Sequence, residues 1–93
     1  MEIFLKKFKD TIVAIEKDGK TVLFSLEADN KFFYFDDFES EIIKAYFKHN
    51  DWNSALDQLA KKNNYNPEEL KSFTLKLIDM LEEYELFQNT SHK

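Results

Sequence analysis

Lys31-Phe32-Phe33-Tyr34-Phe35, followed at once by Asp36-Asp37, is the stretch on which the reading of this chain turns. Neighbours in a strand point to opposite faces, so Phe33 and Phe35 can share a core that Phe32 and Tyr34 cannot reach. Something else has to cover those two rings. One candidate cover is the aromatic N-terminal segment, Phe4 and Phe8, which would make them ordinary packing residues. The other arises if this strand is the last of its sheet. An edge strand carries unpaired N–H and C=O groups, and an extended peptide docks on such groups as an added strand.

Upstream, two short runs rich in apolar and β-branched residues, Thr11 to Glu16 and Thr21 to Leu26, flank Lys17-Asp18-Gly19-Lys20. Asp-Gly between such runs predicts a tight hairpin, and the only glycine of the chain, Gly19, sits where positive φ is required. Val22, Phe24 and Leu26 alternate with Thr21, Leu23 and Ser25, which predicts one strongly apolar face. Ala28-Asp29-Asn30 then turns the chain into the aromatic strand. The first third therefore predicts a three-stranded antiparallel meander.

Downstream the period becomes helical. Asp36 and Glu39 have capping-box spacing, and Phe38, Ile42, Ile43, Tyr46 and Phe47 fall on one face of a helix ending near Lys48. His49-Asn50-Asp51 breaks it, and Asp51 caps a second helix with Trp52, Leu56, Leu59 and Ala60 inward. Asn63-Asn64-Tyr65-Asn66 ends that one. Asn66-Pro67-Glu68-Glu69 starts a third helix, with a capping Asn, proline at the first helical position and Glu three residues after the cap. It is expected to run to about Tyr84. Its core stripe is Leu70, Thr74, Leu77, Leu81 and Tyr84, widened by Phe73, Met80 and Phe87 on one flank and by Leu75 and Ile78 on the other. That arc is wider than packing against one layer needs. Either the helix is covered on two sides or one flank lines a groove.

The chain has 93 residues, 43% of them apolar and 16% aromatic, which suits one small domain. The expected domain spans residues 1–88, with residues 89–93 a disordered tail. Cysteine is absent, so neither disulfides nor thiolate metal sites contribute. Met1 to Phe8 is too short and too broken by Lys6 and Lys7 for a secretory or membrane segment, and a cytoplasmic location with no membrane partner is the expectation. The net charge of −5 is uneven: residues 1–35 carry six acids and six lysines, residues 36–93 twelve acids and seven lysines. The acidic part repels nucleic acid. All thirteen basic residues are lysine, so the side chain most used for bidentate reading of guanine and phosphate is missing.

Catalysis finds little support. His49 and His92 stand without a recognisable nucleophile or metal spacing, and the carboxylates Asp36, Asp37, Glu39 and Glu41 are explained by a helix start. The expectation is a protein that is not an enzyme and uses no cofactor or metal.

Two strands around Asp18-Gly19, Leu23 to Leu26 leading to Lys31-Phe32-Phe33-Tyr34-Phe35, the Ile42-Ile43 helix, Trp52, Pro67-Glu68-Glu69-Leu70, Leu77-Ile78, Leu81 and Leu86-Phe87 together resemble the PqqD-like family. These are small recognition domains that hold leader peptides of ribosomally made, post-translationally modified peptides. The resemblance covers about residues 8–87 and is carried by apolar positions and capping signals. It implies an α+β, winged-helix-like fold, a three-stranded antiparallel sheet followed by three helices. It also implies a non-catalytic chaperone that takes a precursor (leader) peptide between the third strand and third helix and delivers it to a modifying enzyme, such as a radical SAM or other maturase. By position, Phe32, Phe33 and Tyr34 would supply the strand edge, Phe73, Leu77 and Met80 the opposite wall, and Lys76 would meet an acidic leader residue. Plain alternatives stand beside each: core for Phe73 and Met80, solvated charge for Lys76. Two other readings of the whole chain remain, a small dimerising adaptor pairing through the aromatic edge and a winged-helix DNA-binding protein. The second would press a helix region of six acids and two lysines, Pro67 to Glu85, against a polyanion.

Overall fold

The computed structural model describes residues 5–27 and 31–88. The Ala28-Asp29-Asn30 turn, Phe4, His92 and the expected tail lie outside that range. The fold is α+β: strands β1 (Ile12–Lys17), β2 (Lys20–Ser25) and β3 (Phe32–Phe33), then helices α1 (Asp37–His49), α2 (Trp52–Asn63) and α3 (Pro67–Glu83). The sheet is antiparallel in the order β1-β2-β3. No helix among the described residues is long and apolar enough to cross a membrane.

Local chemistry sets each boundary. Asp18 and Gly19 both have positive φ, 54° and 80°, as a two-residue hairpin turn matched to strand twist demands. Asp36 and Glu39 complete a capping box on α1, Asp51 accepts from the Ser54 N–H on α2, and Asn66 accepts from Glu68 and Glu69 on α3. Asn50 and Asn64, in the left-handed region at φ 58° and 57°, close α1 and α2, a conformation asparagine tolerates better than most residues. After α3, Glu85 takes φ 60° and reverses the chain, so that Leu86 and Phe87 return to the core.

The core is built from Leu23 of the sheet, Ile42, Ile43 and Tyr46 of α1, Trp52, Ala55 and Leu59 of α2, and Leu70, Leu77, Ile78 and Leu81 of α3. Phe8 joins it from the N-terminal segment, its ring lying 5.0 Å from Phe47, 4.9 Å from Phe87 and 5.4 Å from Tyr46. Phe8 therefore belongs to the helical core, and it does not cover Phe32 or Tyr34. The apolar alternation of β2 also falls the other way round from a simple core strand. Thr21, Leu23 and Ser25 share the helical side, where Thr21 and Ser25 approach α1 and the chain after β2. Val22, Phe24 and Leu26 face away from the helices.

Candidate peptide-binding edge and groove

β3 is short because the chain leaves the sheet to begin α1. Ser25 N–H donates to the Lys31 carbonyl at 2.8 Å, and Leu23 pairs with Phe33. One step further, where a longer third strand would continue the ladder, the Thr21 N–H donates to Ser40 Oγ at 2.6 Å. In an antiparallel ladder the backbone groups of alternate residues turn to opposite sides. Lys31 and Phe33 turn theirs towards β2, so Phe32 and Tyr34 turn theirs outward, where no strand follows among the described residues. The opposite edge of the sheet, β1, presents exposed Glu16 and Lys17, charges of the kind that discourage strand pairing.

The C-terminal end of α3 comes to this edge through Tyr84. At about 100° per residue, Phe73, Met80 and Tyr84 share an arc of roughly 40°. The Tyr84 ring lies 5.3 Å from Phe33, and in the N-terminal half of the helix the Phe73 ring lies 4.7 Å from Phe38 of α1. The strip between these two contacts is about 16 Å long at 1.5 Å rise per residue, the length of about five residues of extended peptide. At the Phe33 end it opens into a cavity of about 560 Å³ lined by Lys9, Lys31, Phe33, Glu83, Tyr84 and Glu85, among others. At the Phe38 end a smaller cavity of about 240 Å³ is walled by Phe38, Tyr65, Glu69, Leu70 and Phe73. Desolvation and the neighbouring Glu41 carboxylate push the Tyr65 phenol up from its ordinary value.

The structure distributes the residues singled out from sequence over three environments. Phe32 and Tyr34 are exposed, at 45% and 62%. Phe33, Phe73 and Met80 are partly buried and pack against the core from its margin. Leu77 is buried at 3%: it backs the α3 flank from within and presents no surface to a ligand. Lys76 is exposed on the solvent side of the same flank. Tyr84, assigned to the core stripe from periodicity, is instead 46% exposed and forms the wall opposite Phe33. The core position is taken by Leu81 and, beyond the helix, by Leu86 and Phe87. Tyr84 is the residue sequence reasoning misplaced, and its relation to Phe73, eleven positions or about three turns away, was the signal that could have found it.

No family model matches the sequence, and no curated protein matches it. Among solved structures, the fold is similar to that of TbiB1 in complex with the TbiA(beta) leader peptide. The TM-score is 0.74 with 17% sequence identity, over 92% of this chain and 99% of that one. At that identity the likeness is one of fold.

Proposed function

We propose that this chain is a non-catalytic recognition domain of the PqqD-like kind, which takes the leader of a ribosomally synthesised precursor peptide as an added strand on β3 and presents it to a modifying enzyme. The carrying observation is the open edge at Phe32 and Tyr34, where the Phe33 ring meets that of Tyr84 just past the end of α3. Main-chain hydrogen bonds would supply affinity there and alternate side-chain pockets would supply choice. The end-to-end likeness to TbiB1, a protein solved with a leader peptide, supports the same reading. Phe33, Phe73 and Met80 contribute side chains to the groove, Leu77 holds their wall from behind, and Lys76 stands where an acidic leader residue could reach it.

The DNA-binding reading is opposed by charge. α3 carries Glu68, Glu69, Asp79, Glu82 and Glu83 against Lys71 and Lys76, an unfavourable face for a polyanion. The test is isothermal titration of the protein with the leader peptide encoded beside its gene. A one-to-one complex in the nanomolar to low-micromolar range, about −8 to −12 kcal/mol, is the expected result. Absence of binding, together with concentration-dependent dimerisation in sedimentation, would favour the adaptor that pairs through its own edge.

A further inference from the structure

The face of the sheet turned away from the helices is as apolar as a core face, and its rows end at the open edge. Register places Val13 opposite Phe24 and Phe24 opposite Phe32, and Ile15 opposite Val22. Continuing the β2–β3 register by two residues brings Tyr34 beside Val22. One cross-strand row, Val13–Phe24–Phe32, is paired in full, and the extended register sets Tyr34 at the end of a second, Ile15–Val22. The rings bear this out: Phe24 and Phe32 lie 4.6 Å apart, and Phe32 and Tyr34, 6.2 Å apart, share one face. Lys17 reaches across β2 to set its ammonium 5.9 Å from the Phe32 ring and 5.8 Å from that of Tyr34. Val22 lies under that path and is buried, although it takes no part in the helical core. Aromatic and β-branched cross-strand pairs are the units that stabilise a sheet, and here both rows stop with an exposed ring.

Hydrogen-bond phase decides what would come next in each row. Because Phe32 and Tyr34 turn their backbone groups outward, the residues of an added strand that pair with them carry their side chains on this same outer face. The residue between, opposite Phe33, points to the groove and Tyr84. We infer that the peptide is read on both faces of the sheet: one side chain enters the groove, and the two on either side of it extend the Phe32 and Tyr34 rows as aromatic or β-branched residues. The Lys17 ammonium over the ends of those rows excludes lysine and arginine from these two positions. This inference rests on β3 receiving a peptide strand.

The probe is a random-sequence peptide library displayed on phage and selected separately on the intact protein, on a Phe32→Thr/Tyr34→Thr double variant and on Lys17→Glu, with thermal denaturation to verify that each is folded. The intact protein is expected to enrich peptides with aromatic or β-branched residues at positions i and i+2 around an apolar residue, and without basic residues at i and i+2. The double variant should keep the preference at the central position and lose it at the outer two, with peptides selected by the intact protein binding it about tenfold more weakly, the scale of two lost cross-strand pairs. Lys17→Glu should admit lysine and arginine at i and i+2. The same preferences from all three proteins would overturn the two-faced reading while leaving strand addition standing. No enrichment on the intact protein would overturn both.

Discussion

Substituting Tyr34 by proline separates strand addition from every other way of using this surface. Proline removes one backbone N–H and fixes φ near −65°, and it holds the preceding residue extended, as Phe33 already is within β3. The Tyr34 N–H points away from β2, and its side chain is 62% exposed, so the free protein loses no internal hydrogen bond and little packing. Its stability is expected to change by about 0.5 kcal/mol or less. A bound strand, by contrast, loses one backbone hydrogen bond, worth about 0.5–1.5 kcal/mol net, and is left with a carbonyl desolvated and unmatched, costing about 1–3 kcal/mol more. The sum, about 1.5–4.5 kcal/mol, corresponds to a roughly 10- to 2,000-fold rise in Kd. Tyr34→Ala is the control, since it removes the ring and keeps the N–H. Calorimetric titration with the leader peptide, alongside urea unfolding of all three proteins, reads both quantities. A folded proline variant that binds within about twofold of the parent, or an alanine variant that loses as much as the proline one, would refute strand addition at this edge.

Phe73→Ala tests the other wall: if the ring lines the groove, peptide affinity should fall about tenfold while stability falls by less than about 2 kcal/mol, whereas a stability loss of about 3 kcal/mol or more in urea unfolding would mark the residue as core. Ser40→Ala should orphan the buried Thr21 N–H and cost about 1–3 kcal/mol, visible as a Tm lower by roughly 4–8 °C per kcal/mol, and a melting curve identical to the parent's would contradict that role. Asp51→Ala should lose about 1 kcal/mol of α2 capping at neutral pH. The Ser54 backbone N–H holds the Asp51 carboxyl below the ordinary aspartate range, so the cap's contribution is complete above the unfolded-state value and disappears as pH falls through the lower folded value. Unfolding curves of the parent and Asp51→Ala should accordingly converge in acid, and a constant gap down to strongly acidic pH would assign the loss to something other than the charge.

Most of the fold was legible because its signals are local. Asp18-Gly19, the Asp36/Glu39 box, Asp51 and Asn66-Pro67 each act within four residues, and the structure keeps every one of them where the sequence put it. Alternation in β2 fixed two faces without telling which of them meets the helices. That choice was made by Ser40 approaching Thr21 from α1, a contact between residues nineteen apart. The width of the α3 stripe exceeds the buried set, leaving Phe73, Leu75 and Met80 partly buried at the core's margin, yet period alone could not say where the helix stops serving the core. Glu85, in the left-handed region, swings Leu86 and Phe87 inward, and they take the place periodicity had reserved for Tyr84. Lys17 read as a hairpin charge, and only the folded chain sets it over the rings of Phe32 in the third strand and Tyr34 just beyond it.

The first and last described segments also meet one another. Phe8 and Phe87 form an antiparallel bridge, Lys9 N–H donates to the Leu86 carbonyl at 3.0 Å and Gln88 N–H to the Lys7 carbonyl at 2.7 Å. The Trp52 indole N–H ties Lys6 into the same clasp at 2.9 Å. The polypeptide thus enters and leaves through two points about one strand spacing apart, roughly 5 Å. Such a unit can be spliced into an exposed loop of another protein as a cassette, with neither host nor guest stretched. The clasp would serve as the seam, and the open β3 edge would stay free to work in its new setting.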